Sequence, residues 1–440
     1  MVYNRISPTL LSTQSLEQCA FTPGVRLEDA LCTVEIAISH CSEFSKPLWM
    51  LSMDMSKAFD SVEHEAVLNA LIKQGVDQAY VALIATLYRS QLASVNESRE
   101  FSVGKGVRQG DVLSSILFNC VVDVAFQRVK ARLGDHGLYL GEHIERLTNI
   151  RYADDILLFG NSLPELVEMS EILLDELRKI GLKLNASKTK ILRGDVDDGD
   201  ADIAYVDVSG DLIQVLAPQD SHKYLGKMIS TSISHRVEVE FKNRKRQAWA
   251  CFCKHRKVLV NKNISLKSRL RFFDACVTPT VLFGLHCLPI PQKFANQLDA
   301  IQNKMLRAIV GWRRVEGEPW RETMERMNER VLVGFTHHYC NAWSMIRARN
   351  LWRYAIHVAS SSHISFPQKV AHLSQNAIDD PASPYAPHRG RGRPRQRWDD
   401  SIAGFCRLHF DANCDWITAM SHYDGNLRTF EDEFIVHAIG

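Results

Sequence analysis

The 440-residue chain has no apolar stretch approaching the roughly 20 uncharged residues that a bilayer crossing requires. The longest candidates, such as ACVTPTVLFGLHCLPIP (275–291), are broken by Pro, Gly and His, so no membrane role is expected. It also lacks a strong net charge, +2 from 53 Lys and Arg against 51 Asp and Glu, so a nucleic-acid partner would have to be held by a local basic patch. The N-terminus, MVYNRISPTLLSTQSLEQ, lacks the charged and apolar regions of a signal peptide, and the eleven Cys fall at irregular spacings. Both point to a reducing, intracellular location, nuclear or cytoplasmic. No internal repeat is present. Cys251, Cys253 and His255 are too tightly spaced for a zinc finger, and Cys406, His409 and Cys414 supply three ligands without a fourth.

What is present is an ordinary composition, 45 % hydrophobic and 24 % charged, long enough for a large core and two or three domains. Residues 27–46 carry helical spacing (Leu31, Val34, Ile38), and PLWMLSMDMSKAFD then holds a short strand-like run ending at Asp54. Residues 62–90 return to helix. EFSVGKGVRQGDVLSS predicts a strand, a Gly-rich turn and a helix starting at Asp111 or Ser114. A strand over 150–159, a helix over 163–180 and a strand-like turn in GLKLNASKTKIL complete an α/β order. The stretch 195–220 has eight Asp and no Lys or Arg, and is expected to be an exposed loop or hairpin insertion. From Arg236 to Arg271 the balance reverses, with twelve Lys or Arg against two Glu on a helical pattern. Residues 295–360 are helical and Trp-rich, 361–388 resemble a Ser/Pro linker, and RGRGRPRQRW follows.

The chemistry lies in the carboxylates. RYADDILLF (151–159) places Asp154 and Asp155 in an apolar run, where two adjacent unpaired anions are costly unless cations or solvent attend them. Asp54 ends another strand-like run, and pairing the two strands would bring all three together. Three such carboxylates could hold two Mg²⁺ roughly 3.5–4 Å apart, as nucleotidyl transfer to a 3′-hydroxyl requires. Any one Asp taken alone is an ordinary strand end; only the constellation favours a site.

LSMDMSKAFDSV, GVRQGDVLSSILFN, RYADDILLF, GLKLNASKTKIL and KYLGKMI stand in the order and spacing of the palm motifs of reverse transcriptases. The chain resembles most the non-LTR (LINE-type) retrotransposon branch, whose pre-palm segment is similar to FTPGVRLEDAL; the resemblance covers roughly residues 18–230. It implies a right-hand polymerase fold of the α/β (α+β) class. The parts would be partial fingers and a pre-palm segment (1–50), a palm (51–232, with the acidic insertion 195–220), a basic helical thumb (233–312) and an α-helical C-terminal extension with a basic tail (313–440).

Carried over residue by residue, the resemblance makes Asp54 and Asp154 the principal metal ligands and Asp155 the third acidic member, with the Met55 carbonyl also facing a metal. The metals would be two Mg²⁺, with Mn²⁺ as the substitute. Phe59 would stack under the incoming sugar and exclude a 2′-hydroxyl. Gly110 would let the backbone approach the substrate, with Gln109 and Arg108 contacting nucleotide or template. Lys188 would protonate the leaving pyrophosphate, with Lys190 as second choice. Tyr224, Leu225 and Gly226 would grip the primer end. Arg244, Lys245, Arg246, Lys254, Arg256 and Lys257 would neutralise phosphates of the primer–template duplex, and Arg391 and Arg393 would enter an A·T-rich minor groove. The partners are then dNTPs and a primed RNA or DNA template; the oligomeric state stays open.

The sequence departs from the pattern in three places. Only about twenty residues precede FTPG, where a fingers region with basic triphosphate contacts is expected, so truncated fingers and weakened activity are anticipated. Ala20 replaces a usual Gly, and Val112 and Ser115 replace two Pro. No segment resembles an endonuclease or an RNase H. Two readings stand: an RNA-directed DNA polymerase, and a catalytically inactive retroelement-derived nucleic-acid-binding protein.

Overall fold

The structure, a computed structural model, describes residues 1–94, 100–140, 146–196, 203–338, 341–360, 397–410 and 414–439. Arg391, Arg393 and the linker 361–388 lie outside the described residues. The chain forms two compact units, the first built from residues 1–226 and 230–233 and the second from 227–229 and the described residues after 233.

In the first unit the apolar run before Asp54 forms β1 (Trp49–Met53), all five residues buried, at the middle of a six-stranded sheet. Its neighbours are β5 (Asp155–Gly160) and β6 (Lys190–Arg193), both antiparallel. The sheet continues on one side to β4 (Asn149–Tyr152) and on the other to β8 (Asp211–Leu216) and β7 (Tyr205–Val208). The acidic stretch thus contains a hairpin, β7 turning into β8 through Ser209 and Gly210, and it extends the sheet through a parallel β6–β8 pairing. The expected single strand over 150–159 is instead two strands, β4 and β5, with a two-residue turn at Ala153 and Asp154. Both arms are apolar and the turn carries no Gly, Pro or Asn, so the run reads as continuous.

Against the sheet pack α2 (Leu27–Glu43) and α7 (Leu163–Lys179), whose N-terminus is capped by Ser162. The longest helix, α6 (Val112–Leu133), starts at Asp111, whose side chain accepts from the Leu113 N–H at 2.9 Å. Among the described residues it is the one helix long and apolar enough to cross a bilayer, and most of it is buried. It packs against α1 (Val2–Thr13), α4 (His64–Lys73) and α7. The same core takes in α3 (Ala58–Ser61) and α5 (Gln78–Arg89).

The second unit is helical. Along α8 (Arg236–Lys254) a buried stripe runs through Val237, Phe241, Arg244, Ala248 and Phe252, a helical repeat that faces α10 (Leu266–Leu282). The short α9 (Arg256–Leu259) links them. Next come α11 (Gln292–Val310), α12 (Trp320–His338) and α13 (Trp343–Ala359). On α13, Trp352 packs on Phe405 of α14 (Asp400–His409) and on Phe434 of α16 (Glu431–Ile439), with ring centroids 5.2 and 4.8 Å apart.

Candidate active site

Continuing the β1–β5 register, in which Met53 faces Ile156, sets Asp54 opposite Asp155. Asp154 sits in the adjoining turn. Three acidic residues from two distant segments therefore share one end of β1, and the Asp54 charge raises the proton affinity of both Asp154 and Asp155. The Asp155 carboxyl is pushed up to about 6, first by loss of water and then by Asp154 and Asp54. Asp154 shifts the same way, through burial first and the Asp54 charge after it.

Lys188 supplies the nearby cation. Its Nζ lies 3.6 Å from Asp54 Oδ2, and it pulls the proton affinity of Asp154 and Asp155 back down. With the Lys side chain largely in solvent, that pair is worth little to stability. Among the described residues, no three Asp, Glu, His or Cys side chains are gathered closely enough to hold a metal as they stand. The backbone brings the acidic residues together while the mutually repelling carboxyls are not clustered. The donor set nevertheless suits a hard divalent cation: oxygen ligands only, under-compensated in charge, at a site that still meets solvent.

Asp54 is fixed by a neighbour the motif reading passed over. Asn185 donates its side-chain amide to Asp54 Oδ2 at 2.9 Å and its backbone N–H to the Asp54 carbonyl at 2.8 Å. Thr189, fully buried, accepts from the Asp54 N–H at 3.3 Å and donates to the Asn185 carbonyl at 2.9 Å. The NASKT segment is thus a turn clamped onto the end of β1, which also explains why Lys188 reaches Asp54. An Asn followed four residues later by Thr at a strand entry was the signal available in the sequence.

Phe59 on α3 is half-buried and stacks on Phe118 of α6, centroids 4.4 Å apart and planes 13° from parallel. Segment 105–107 is stitched to α3: the Gly106 N–H donates to the Val62 carbonyl and the Val107 N–H to the Phe59 carbonyl, both at 2.7 Å. Arg108, Gln109 and Gly110 follow, all exposed, with the Gln109 amide 3.5 Å from Asp60 Oδ1. Gly110 has a φ of +88° and open space around it. Gly106, four residues earlier, packs against backbone: its φ is +90° and a Cβ there would stand 2.8 Å from the Asp60 carbonyl oxygen. Gly106→Ala is expected to destabilise the first unit by about 2 kcal/mol or more, from backbone strain and the clash together, as thermal melting would read.

The remaining assigned residues differ in their burial. Tyr224 is buried, with its phenol pushed well above its ordinary range by burial, and then by Cys19 and Asp155. Its ring lies inside the protein. The turn after it, Leu225 (φ +46°) and Gly226 (φ +81°), links β9 (His222–Tyr224) to β10 (Lys227–Ile229) and keeps Gly226 exposed. Met55 buries its side chain in the core. Of the basic residues, Arg244 is buried against Glu240, Nε to Oε1 2.5 Å, and over the Phe283 ring. Desolvating it to meet a phosphate would break a core ion pair, so it leaves the phosphate-binding set. Arg236 and Arg269 are buried as well. Lys245, Arg246, Lys254, Arg256 and Lys257 are exposed.

The family described as reverse transcriptase (RNA-dependent DNA polymerase) matches residues 1–229. The Pol polyprotein of the type-2 retrotransposable element R2DM of Drosophila melanogaster is 31 % identical over 175 residues, 39 % of this chain and 16 % of that protein. The 149 kDa protein of transposon TX1 of Xenopus laevis is 25 % identical over 312 residues, 69 % of this chain and 22 % of its own length. The chain thus spans about a fifth or less of these two relatives. Among solved structures, apo telomerase from Candida tropicalis aligns over 85 % of this chain and 60 % of that one, at 14 % identity and a TM-score of 0.41. The motifs around Asp54 and Asp154 lie inside the matched residues, and the chain, similar to the proteins of these retrotransposable elements, belongs to the reverse transcriptase family.

Proposed function

We propose that the chain is a divalent-cation-dependent RNA-directed DNA polymerase that adds dNTPs to a primer 3′-hydroxyl. The observation that carries this reading is the juxtaposition of Asp54 at the end of β1 with Asp154 and Asp155 at the adjoining turn. Asp54 and Asp154 would hold two Mg²⁺, with Asp155 as the third acidic member; Mg²⁺ supplies there the activation of the 3′-hydroxyl and the stabilisation of departing pyrophosphate. Asn185 keeps the Asp54 carboxylate aimed and Thr189 fixes its backbone. Lys188, exposed and 3.6 Å from Asp54 Oδ2, would deliver a proton to the leaving group. Lys245, Arg246, Lys254, Arg256 and Lys257 are proposed to meet the phosphates of a primed RNA or DNA template, with affinity falling as salt rises, and Arg391 and Arg393 of the tail to enter an A·T-rich minor groove.

Primer extension on a primed RNA template with dNTPs and Mg²⁺ tests the reading: wild type should extend and Asp54→Asn should not. Duplex binding that is equal in both, with no Asp54-dependent extension, would favour a nucleic-acid-binding protein without catalysis. Phe59, held flat on Phe118, is proposed as the wall that rejects a 2′-hydroxyl. Phe59→Ala is expected to raise incorporation of ribonucleotides relative to deoxyribonucleotides by about tenfold or more, a ratio of kcat/KM values measured on one primer.

A further inference from the structure

We infer that Gln18 is a positioning residue for the acidic turn: its side-chain oxygen clamps the Ala153 N–H and so sets where Asp154 and Asp155 stand. Gln18 is 1 % exposed, just before FTPG, and has no role of its own in the motif assignments. Its Oε1 accepts from the Ala153 N–H at 3.2 Å and from the Ala20 N–H at 3.0 Å. Ala153 needs such a hold. It is a non-glycine residue at φ +59°, in a two-residue turn whose first position favours Gly.

The clamp is itself held from both sides. Residues 17–19 run alongside β4, with the Arg151 N–H donating to the Glu17 carbonyl at 2.9 Å and the Cys19 N–H donating to the Arg151 carbonyl at 2.8 Å. The Ala20 carbonyl accepts from the Asn119 side chain of α6 at 2.8 Å. The choice of side chain follows from charge. A Glu of the same length would also accept, but it would add another anion beside two carboxylates that already repel, whereas the amide supplies an acceptor with none.

The inference rests on the reading of Asp154 and Asp155 as cation ligands, and its test separates the two. Gln18→Met keeps length and removes the acceptor. Amide hydrogen exchange over residues 152–156 should then speed up by about tenfold or more, while β1, α6 and α7 keep their protection. Mn²⁺ affinity, followed by titration, should fall by about fivefold or more, through loosened ligand placement. Ala153→Gly added to Gln18→Met should restore most of that affinity, because glycine adopts the turn conformation without the clamp.

Gln18→Asn, which keeps the amide but shortens it, should move exchange and affinity in the same direction if Gln18→Met fails to fold. Unchanged exchange at 152–156 would overturn the inference. So would a loss spread over the whole sheet that Ala153→Gly does not relieve. Wild type that binds Mn²⁺ through Asp154 without extending a primer would overturn the polymerase reading and leave the clamp standing. Mn²⁺ binding indifferent to Asp154 would overturn the cation reading, with exchange still deciding the clamp.

Discussion

Asp154→Ala is expected to lower primer extension by at least about 10³-fold, a barrier increase of about 4 kcal/mol. The side chain sits in the two-residue turn next to the strand that faces β1, so removing its carboxylate would take away a proposed cation ligand while the strands on either side keep their pairing. Folding should not suffer. Burial and the neighbouring Asp54 charge raise the proton affinity of Asp154, so at neutral pH its ionised form strains the folded state. A variant that loses activity with unchanged or higher thermal stability is the outcome that separates a metal ligand from a structural Asp.

Asp155 makes the sign of this effect testable by pH. Its folded-state proton affinity is raised from an ordinary value near 3.8 to about 6, so the cost of its charge is fully present above about pH 6 and gone by about pH 4. Asp155→Asn should therefore gain about 1 kcal/mol at pH 8, after allowance for solvent screening at an exposed side chain, and nothing at pH 4. Melting curves at the two pH values in the absence of divalent cation measure it. Adding Mg²⁺ should reverse the order at pH 8, because the cation stabilises only the chain that keeps its carboxylates.

The largest stability effect is expected at Arg151, which is fully buried three residues before the turn residue Asp154. Its Nη2 meets Asp123 Oδ1 on α6 at 3.0 Å, and its guanidinium lies over the Phe126 ring at 4.2 Å. Asp123 also accepts from the Ser15 N–H at 3.1 Å, from the Ser15 hydroxyl and from the Gln127 amide. Arg151→Met leaves a buried carboxylate without its cation and should cost about 3–5 kcal/mol. In a unit of this size that lowers the melting temperature by about 10 °C. Arg151→Met with Asp123→Leu should recover most of the loss, since two apolar side chains leave no charge unpaired. Failure to recover would mean that packing around the pair, and not charge, sets its worth.

The features legible in the sequence were those with local signals. β1, α6 and α7 announced themselves by apolar runs and by the Asp111 cap, and the motifs picked out the three acidic residues, Asp54, Asp154 and Asp155, that the strand pairing brings to one end of β1. Arg244 was also legible and was misassigned. It falls on the stripe Val237, Phe241, Arg244, Ala248, Phe252, four residues after Glu240, so helical phase alone separates it from Lys245 and Arg246. The parallel β6–β8 pairing and the Gln18 clamp were not legible, because each joins segments with no periodic or compositional link. A buried Gln in a loop-like stretch looks in sequence like any polar loop residue. Tyr224 was read from its motif, and only tertiary packing tells that its ring points inward.

The account stands on Asp54, Asp154 and Asp155 acting as one cation centre, and anomalous diffraction from crystals of the chain with primer–template, dNTP and Mn²⁺ tests it directly. Manganese density bounded by the carboxyl oxygens of Asp54 and Asp154 is expected, and it should vanish in Asp154→Ala. Manganese bound elsewhere, or density indifferent to that substitution, would contradict it.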